Sequence, residues 1–340
     1  MLQRERTVQL RSGDELRTPL LVPSVSSAGF DRVQGPNGER WSEPGYWLNL
    51  VLAPLLRKAL LISAYDIHHR SLPDCDELLT DFDRSIYSGE RHLFIDSGGY
   101  EKHHGPPPQD GQRLDWDQET YETLVGALDP QCRAIVVNYD MYGTYEDQIA
   151  SAQRFFAAHD RLSSDLLLKP EEPGRMLDID AMTRHLKSLR GFDLIGVTEK
   201  ELGDSLLSKL KALSKLRRRL DEADVRAPIH VFGSLDPVLA PLYQAAGAEV
   251  FDGLSWLRFG FVWETSVYKN QVAVLGDDQD LTQNQIERDL ARLVKNASTL
   301  RKLNEAMRQF ANTHDWTLFG DRVAQRLQSA YRALTTSMGE

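Results

Sequence analysis

The sequence predicts an α/β fold, a TIM (β/α)8 barrel with an appended C-terminal helical region. Short apolar runs alternate with longer amphipathic stretches, which is typical of repeated βα units around a parallel sheet. Eight such runs occur, and eight strands close a barrel of this kind. Because the 340 residues exceed the roughly 250 of a barrel, we assign residues 1–280 to the barrel domain and residues 281–340 to the helical region.

The eight predicted strands are short and apolar, as expected for strands that are covered on both faces. In chain order they are Leu20–Pro23, Leu60–Ser63, His92–Ile95, Ala134–Asn138, Leu166–Leu168, Leu194–Val197, Ile229–Phe232 and Val250–Phe251. We expect them to run parallel, since the stretches between most of them have the length and pattern of a helix.

Amphipathic stretches separate these strands, with apolar residues three and four positions apart. They are Tyr46–Arg57, Trp116–Ala127, Tyr145–His159, Ile179–Arg190, Gly203–Ala223 and Pro237–Ala246. From Leu281 onward the strand signals stop. The stretches Thr282–Thr313 and Leu318–Thr336 therefore predict the helices of the C-terminal region.

The composition excludes several classes of protein. With 41% hydrophobic and 26% charged residues, the chain has enough apolar surface for a large core, so disorder is not indicated. The N-terminus lacks the apolar run of a secretory signal and no stretch reaches the ~18 apolar residues of a membrane span, so we expect a cytoplasmic protein without a membrane partner. The net charge of −10 argues against a wholly basic nucleic-acid binder, but a local basic groove stays open.

Polar residues follow four of the predicted strands, at the end where a TIM barrel carries its active site. They form the segments Asp96-Ser97-Gly98-Gly99-Tyr100, Tyr139-Asp140, Gly196-Val197-Thr198-Glu199 and Asp252-Gly253-Leu254. Taken alone, these aspartates have a structural alternative, because Asp, Ser and Gly also form turns and strand ends. Two carboxylates on opposite sides of a glycosidic bond supply the acid and the nucleophile for substitution at a sugar C1′.

Two of these segments resemble motifs of the tRNA-guanine transglycosylase family. The sequence FIDSGGYE at residues 94–101 is similar to the family's TDSGG(F/Y)Q signature, and FDGLSWLR at residues 251–258 is similar to its FDCVxPTR nucleophile segment. In matching order, RTPLLVP at residues 17–23 resembles the RTPxFMPV strand, and VFGSLDP at residues 231–237 resembles the YLMGVGxPxD segment. With weaker matches between them, the resemblance extends from about Arg17 to Gly276.

The resemblance implies a role for each matching residue. Asp252 would be the nucleophile that displaces guanine and holds the ribose or deoxyribose covalently, and Asp96 would be the general acid/base that serves the leaving and incoming bases. Residues that bind the base would be Ser97, Gly98, Gly99, Tyr100 as a stacking ring, Asp140 on the Watson–Crick side, and the backbone of Gly196 and Val197. By the same resemblance Arg258 would bind the nucleic acid near the reacting nucleotide. Apart from the resemblance, Lys269 and, in a basic stretch of the C-terminal region, Arg301 and Lys302 are further candidates for binding the nucleic acid.

The sequence departs from the family in two places. Family enzymes that act on tRNA carry a CxCxxC zinc site with a later His after the barrel, whereas Cys75 and Cys132 are isolated and lie upstream. The pair His103-His104 also has no partners at ligand spacing, so we predict neither a metal nor another cofactor. Lys169 stands where the family has a base-reading Gln, and an ammonium group only donates hydrogen bonds.

The leading hypothesis is a guanine transglycosylase that exchanges guanine in a nucleic acid for a 7-deazaguanine base through a covalent intermediate on Asp252. Because the zinc module is missing, the resemblance favours the relatives that modify DNA, with tRNA as the alternative substrate. Two other hypotheses stay open: a guanine-specific glycosylase or hydrolase, in which water resolves the intermediate, and a non-catalytic nucleic-acid-binding subunit. Family members are often homodimers, so a homodimer is a further expectation.

Overall fold

The computed structural model describes residues 5–28, 30, 32–34, 40–42, 58–71, 92–100, 116–128, 132–262, 264–275 and 284–339. Four features named above lie outside these residues: the predicted helix Tyr46–Arg57, Cys75, the pair His103-His104 and the predicted domain boundary between residues 280 and 281. The strands of the described part are β1 (Arg6–Gln9), β2 (Glu15–Thr18), β3 (Leu20–Val25), β4 (Arg32–Gln34), β5 (Arg40–Ser42), β6 (Ala59–Ser63), β7 (His92–Asp96), β8 (Ile135–Val137), β9 (Ser163–Leu168), β10 (Leu194–Thr198), β11 (Ile229–Phe232), β12 (Val250–Gly253), β13 (Phe259–Val262) and β14 (Thr265–Tyr268).

Eight of these strands form a closed barrel in which every neighbouring pair runs parallel. The order around the barrel is β3, β6, β7, β8, β9, β10, β11 and β12, and β12 returns to β3. Each predicted apolar run overlaps one barrel strand, so the predicted TIM barrel is confirmed. The largest extension is in β9, which begins at Ser163, three residues before the apolar run.

Helices cover the outside of the barrel and continue after it. Those in the described residues are α1 (Ala64–His68), α2 (Gln118–Gly126), α3 (Tyr145–Ala158), α4 (Ile179–Met182), α5 (Leu186–Leu189), α6 (Leu206–Glu222), α7 (Leu239–Ala246), α8 (Ser255–Arg258), α9 (Val272–Leu275), α10 (Gln285–Thr313) and α11 (Asp321–Met338), with 3-10 turns at Thr183–His185, Glu199–Glu201, Lys269–Gln271 and Trp316–Phe319. The predicted helix Ile179–Arg190 is broken after Met182. At the break the Thr183 hydroxyl donates to the Ile179 carbonyl at 2.7 Å, a local bond that competes with regular helix hydrogen bonding.

Alternate residues of the strands divide the core into two layers, because successive side chains of a strand point to opposite faces. Inside the barrel, one cluster contains Val22, Leu61, Phe94, Leu167 and Leu194. A larger cluster fills the space between the barrel and the helices. The barrel interior is thus a packed apolar core, in which a buried charged group is unusual.

The C-terminal helices are packed along the barrel wall. The Asn296 side chain accepts from the Phe261 backbone N–H at 2.8 Å and donates to the carbonyl of Trp256. Further along α10, the Asn304 carbonyl oxygen accepts from the backbone N–H of Leu21 at 2.7 Å. Since Leu21 lies near the start of β3, α10 extends from the loops after β12 towards the opposite end of the barrel. No helix in the described ranges is both long and apolar enough to cross a membrane.

Candidate active site

Asp252 lies at the carboxyl end of β12, and its side-chain carboxylate is buried. Its Oδ2 accepts a 2.8 Å hydrogen bond from the hydroxyl of Ser24 on β3, and its Oδ1 accepts a 2.8 Å bond from the backbone N–H of Gly233 after β11. One donor lies on β3 and the other directly after β11, the two strands that flank β12 in the barrel. The position of this carboxylate therefore follows from closure of the barrel.

Asp96 is the last residue of β7 and is partly exposed. Its Oδ2 accepts a 3.1 Å hydrogen bond from the backbone N–H of Gly98. Gly98 has a φ of +81°, and a Cβ there would lie 2.5 Å from Cβ of Tyr65. The turn after Asp96 thus requires glycine twice over, for its backbone conformation and for the close approach of α1.

Asp140, after β8, contacts the turn that follows Asp96. The hydroxyl of Ser97 donates to its Oδ1 at 3.0 Å, and a Cβ on Gly99 would lie 2.8 Å from its Oδ2. The backbone carbonyl of Ser97 in turn accepts from the indole N–H of Trp116 at 2.9 Å. The structure therefore brings the predicted acid/base segment and the predicted base-reading aspartate together.

A buried ammonium group lies beside these carboxylates. Lys169, directly after β9, forms a 2.9 Å ion pair with Glu201, and both side chains are buried. Burial raises the pKa of Asp140, while the charge of Lys169 lowers it only in part. Burial lowers the pKa of Lys169, but the nearby charges of Asp140 and Glu201 reverse this and raise it, so Lys169 is a cation at neutral pH.

Tyr100 and Arg258 connect the two predicted catalytic segments. A guanidinium N–H of Arg258 donates to the Tyr100 hydroxyl at 3.3 Å and to the Ala28 carbonyl at 3.2 Å. The same guanidinium lies 5.5 Å from the ring centre of Phe30. Tyr100 keeps 41% of its surface exposed, so its ring is accessible at the mouth of the barrel.

Gly196 and Val197 lie on β10. A Cβ at Gly196 would approach Cε2 of Phe232 to 2.6 Å and Oδ1 of Asp165 to 3.1 Å, so this glycine makes room for side chains inside the barrel. The Val197 side chain is buried in the core that faces the helices. Only backbone groups of Val197 are thus available to a ligand at the strand end.

The three remaining basic residues that are candidates for binding nucleic acid lie in two separate regions, the end of the β13–β14 hairpin and the helix α10. Lys269 is partly buried, directly after the β13–β14 hairpin, and Ser266 of this hairpin donates to Asp236 at 2.7 Å. Arg301 and Lys302 are exposed on α10, between Asn296 and Asn304. They therefore belong to the outer helical layer.

Two charged residues of the site were missed by the sequence analysis, Asp165 on β9 and His230 on β11. Nδ1 of His230 lies 2.6 Å from Oδ2 of Asp165, and Nε2 of His230 lies 3.5 Å from Oδ1 of Asp252. Both side chains are completely buried. A signal was available, because a histidine inside an apolar strand and a polar start to β9 are costly in a barrel core unless they pair.

The described part of the chain contains no group of three or more His, Cys, Asp or Glu side chains that could hold a metal ion. A comparison with models of protein families gave no match, and a comparison with curated protein sequences gave none either.

Proposed function

We propose that the protein is a guanine transglycosylase related to the tRNA-guanine transglycosylases, which exchanges guanine in a nucleic acid for a 7-deazaguanine base. The observation that carries the proposal is the position of Asp252 and Asp96 at the carboxyl ends of two strands of one barrel. The hydrogen bond between Arg258 and Tyr100 joins the segments that follow these aspartates. Both motifs thus face the end of the barrel where TIM-barrel enzymes carry their active sites.

In the first half of the reaction, a carboxylate oxygen of Asp252 attacks C1′ of the target nucleotide. The bond from C1′ to the base nitrogen breaks, and Asp96 in its acid form protonates the departing guanine. Hydrogen bonds from Ser24 and Gly233 orient the Asp252 carboxylate for this attack. The product of this half is an ester between Asp252 and the sugar, with free guanine.

In the second half, the 7-deazaguanine base replaces guanine in the pocket. Asp96, now a carboxylate, removes the proton from the ring nitrogen of the incoming base, and that nitrogen attacks C1′. The ester bond breaks and its electron pair returns to Asp252. The polymer backbone stays intact, and the enzyme returns to its starting state.

The polar groups beside the aspartates suit a guanine ring. One edge of guanine presents N–H donors next to a carbonyl acceptor. Asp140, which lies beside Ser97, would accept from such donors, and the cationic Lys169 would donate to such an acceptor. The exposed ring of Tyr100 offers a stacking surface for a base that has left its helix.

DNA is the favoured polymer, with tRNA as the alternative. The sequence has two cysteines in all, so it cannot form the CxCxxC zinc site of the relatives that act on tRNA. DNA and tRNA are both polyanions, so the net charge of the chain does not separate them.

The proposal is tested with the purified chain, labelled guanine in DNA or tRNA, and 7-deazaguanine bases. We expect wild type and Asp160→Asn, an exposed control, to exchange the base, whereas Asp252→Asn releases no label and forms no covalent adduct. Asp96→Asn should also lose exchange. Exchange by Asp252→Asn at the wild-type rate would contradict the mechanism, and abasic polymer in place of modified polymer would identify a hydrolase.

A further inference from the structure

Two charged side chains occupy the apolar interior of the barrel close to Asp252. His230 pairs in register with Val250, two residues before Asp252, so its ring lies deeper in the barrel than the carboxylate. Asp165 lies against the far side of this ring. Asp165, His230 and Asp252 thus form a buried row that leads from the core to the predicted nucleophile.

Burial of these charged side chains in the apolar interior costs free energy, so we expect the row to have a function. Asp165 and His230 are completely buried, and their neighbours inside the barrel are apolar. Within the part of the chain that the structure describes, Oδ1 of Asp165 and Nε2 of His230 have no hydrogen-bond partner. Buried charges of this kind are seldom more stabilising than well-packed apolar side chains, so stability alone does not explain the pair.

We infer that His230 is a positioning residue for Asp252: Asp165 holds the Nδ1 side of the ring, so that Nε2 presents its proton and a positive charge to the carboxylate. The inference rests on the proposed function, in which Asp252 is the nucleophile. Nε2 lies 3.5 Å from Oδ1 of Asp252, a separation that suits an ion pair. This distance can shorten when the ester to the sugar breaks and the negative charge returns to the carboxylate.

The surroundings of the ring favour its doubly protonated form. Burial alone lowers the pKa of His230, but the charge and hydrogen bond of Asp165, with the nearby charge of Asp252, raise it to about 9. Burial raises the pKa of Asp165, and Asp193 and Asp252 are the further carboxylates that act on it. The ring is stacked on Phe232 at 3.9 Å, so water has little access to it.

The charge would act in both halves of the reaction. Before attack, an imidazolium holds the Asp252 carboxylate in one orientation. When the ester to C1′ breaks, the returning negative charge forms next to the same cation, which makes Asp252 a better leaving group. Loss of the cation should therefore slow the chemical step more than it weakens substrate binding.

The first test measures the ring itself and needs no activity. The nine histidines of the full-length protein are labelled with ¹⁵N, and His230 is assigned by comparison with His230→Gln. We expect both ring nitrogens to be protonated at pH 7.5 and to titrate near pH 9. Asp165→Asn and Asp252→Asn should each lower this midpoint, and His314→Asn, an exposed histidine, should leave it unchanged. A neutral ring at pH 7.5 would overturn the inference.

The second test uses base exchange. His230→Gln and Asp165→Asn should lower kcat by about 10- to 100-fold with little change in KM, as expected for the loss of one charged interaction. The acid limb of the pH–rate profile should move to higher pH by about one unit. Wild-type kcat and pH profile in both variants would refute the role of His230. A wild-type protein with a doubly protonated ring but no exchange would instead refute the proposed function.

Discussion

The hydroxyl of Ser24 donates a 2.8 Å hydrogen bond to Asp252 across the seam where the last barrel strand meets the first. Two residues separated by 228 positions in the chain thus meet at the predicted catalytic carboxylate. Ser24 and Asp252 lie on the two strands whose pairing closes the barrel. This hydrogen bond therefore forms only when the barrel is closed.

Replacement of this serine should reduce catalysis without unfolding the protein. Ser24→Ala removes one bond to a charged acceptor, so we expect kcat for base exchange to fall by about 10- to 100-fold. The matched control is Ser234→Ala, because this buried hydroxyl donates to the carbonyl of Val231 and not to Asp252. If Ser24→Ala and Ser234→Ala had the same kcat, the hydrogen bond from Ser24 would not be used in catalysis.

Gly98→Ala should destabilise the fold. The variant combines a positive φ with a Cβ only 2.5 Å from Cβ of Tyr65, so we expect a loss in the free energy of unfolding of about 2 kcal/mol or more. Gly174→Ala is the control, because Gly174 has a φ of +76° and no atom of the described residues lies within 4 Å of the added Cβ. Urea unfolding of both variants separates the packing cost from the backbone cost, and equal losses would show that contact with α1 is unimportant.

Lys169→Met should cost stability, because it leaves Glu201 buried without its partner. We expect a loss of about 3 to 5 kcal/mol in the free energy of unfolding, and partial recovery in the double variant Lys169→Met with Glu201→Gln. The control is Lys215→Met, whose ion pair with Asp180 is exposed and should matter little. Thermal or urea unfolding measures all three. If the double variant were no more stable than Lys169→Met, the buried pair would not be the cause.

The buried His230 predicts how stability depends on pH. Its pKa is about 9 in the folded protein and near 6.5 when exposed, so folding is favoured by proton binding. The stabilisation is complete below pH 6.5 and is lost as pH rises through about 9. It amounts to on the order of 3 kcal/mol. Urea unfolding between pH 6 and pH 9.5 should show this decline in the wild type and a smaller one in His230→Gln, and parallel curves would contradict it.

Arg258→Gln should weaken binding of the nucleic-acid substrate. If the guanidinium contacts a phosphate, affinity falls for all sequences, and the slope of log Kd against log salt changes by about one. Arg326→Gln is the control, because this arginine is exposed on α11. The measurement is a salt titration by fluorescence anisotropy with labelled DNA and tRNA. An unchanged slope would assign Arg258 to support of Tyr100 alone.

Much of the barrel could be predicted because its strands are short apolar runs between amphipathic helices. The aspartates at the ends of β7 and β12 and the one after β8 were predictable too, since polar residues at strand ends mark the active face of a barrel. The break after Met182 was not, because it depends on one hydroxyl that competes for a helix carbonyl. The limits of β9 were also misjudged, since Ser163, Ser164 and Asp165 look like a polar loop in the sequence.

The sequence by itself determined the number of barrel strands, the C-terminal helices and the identity of the candidate carboxylates, because these depend on local patterns of apolar and polar residues. Only the tertiary structure decided what surrounds Asp252. Ser24 comes from β3, His230 and Gly233 from β11 and the residue after it, and Asp165 from β9, so their contact is a property of the closed barrel. The physical reason is that hydrogen bonds and charge pairs act over a few ångströms in space, whatever the distance along the chain.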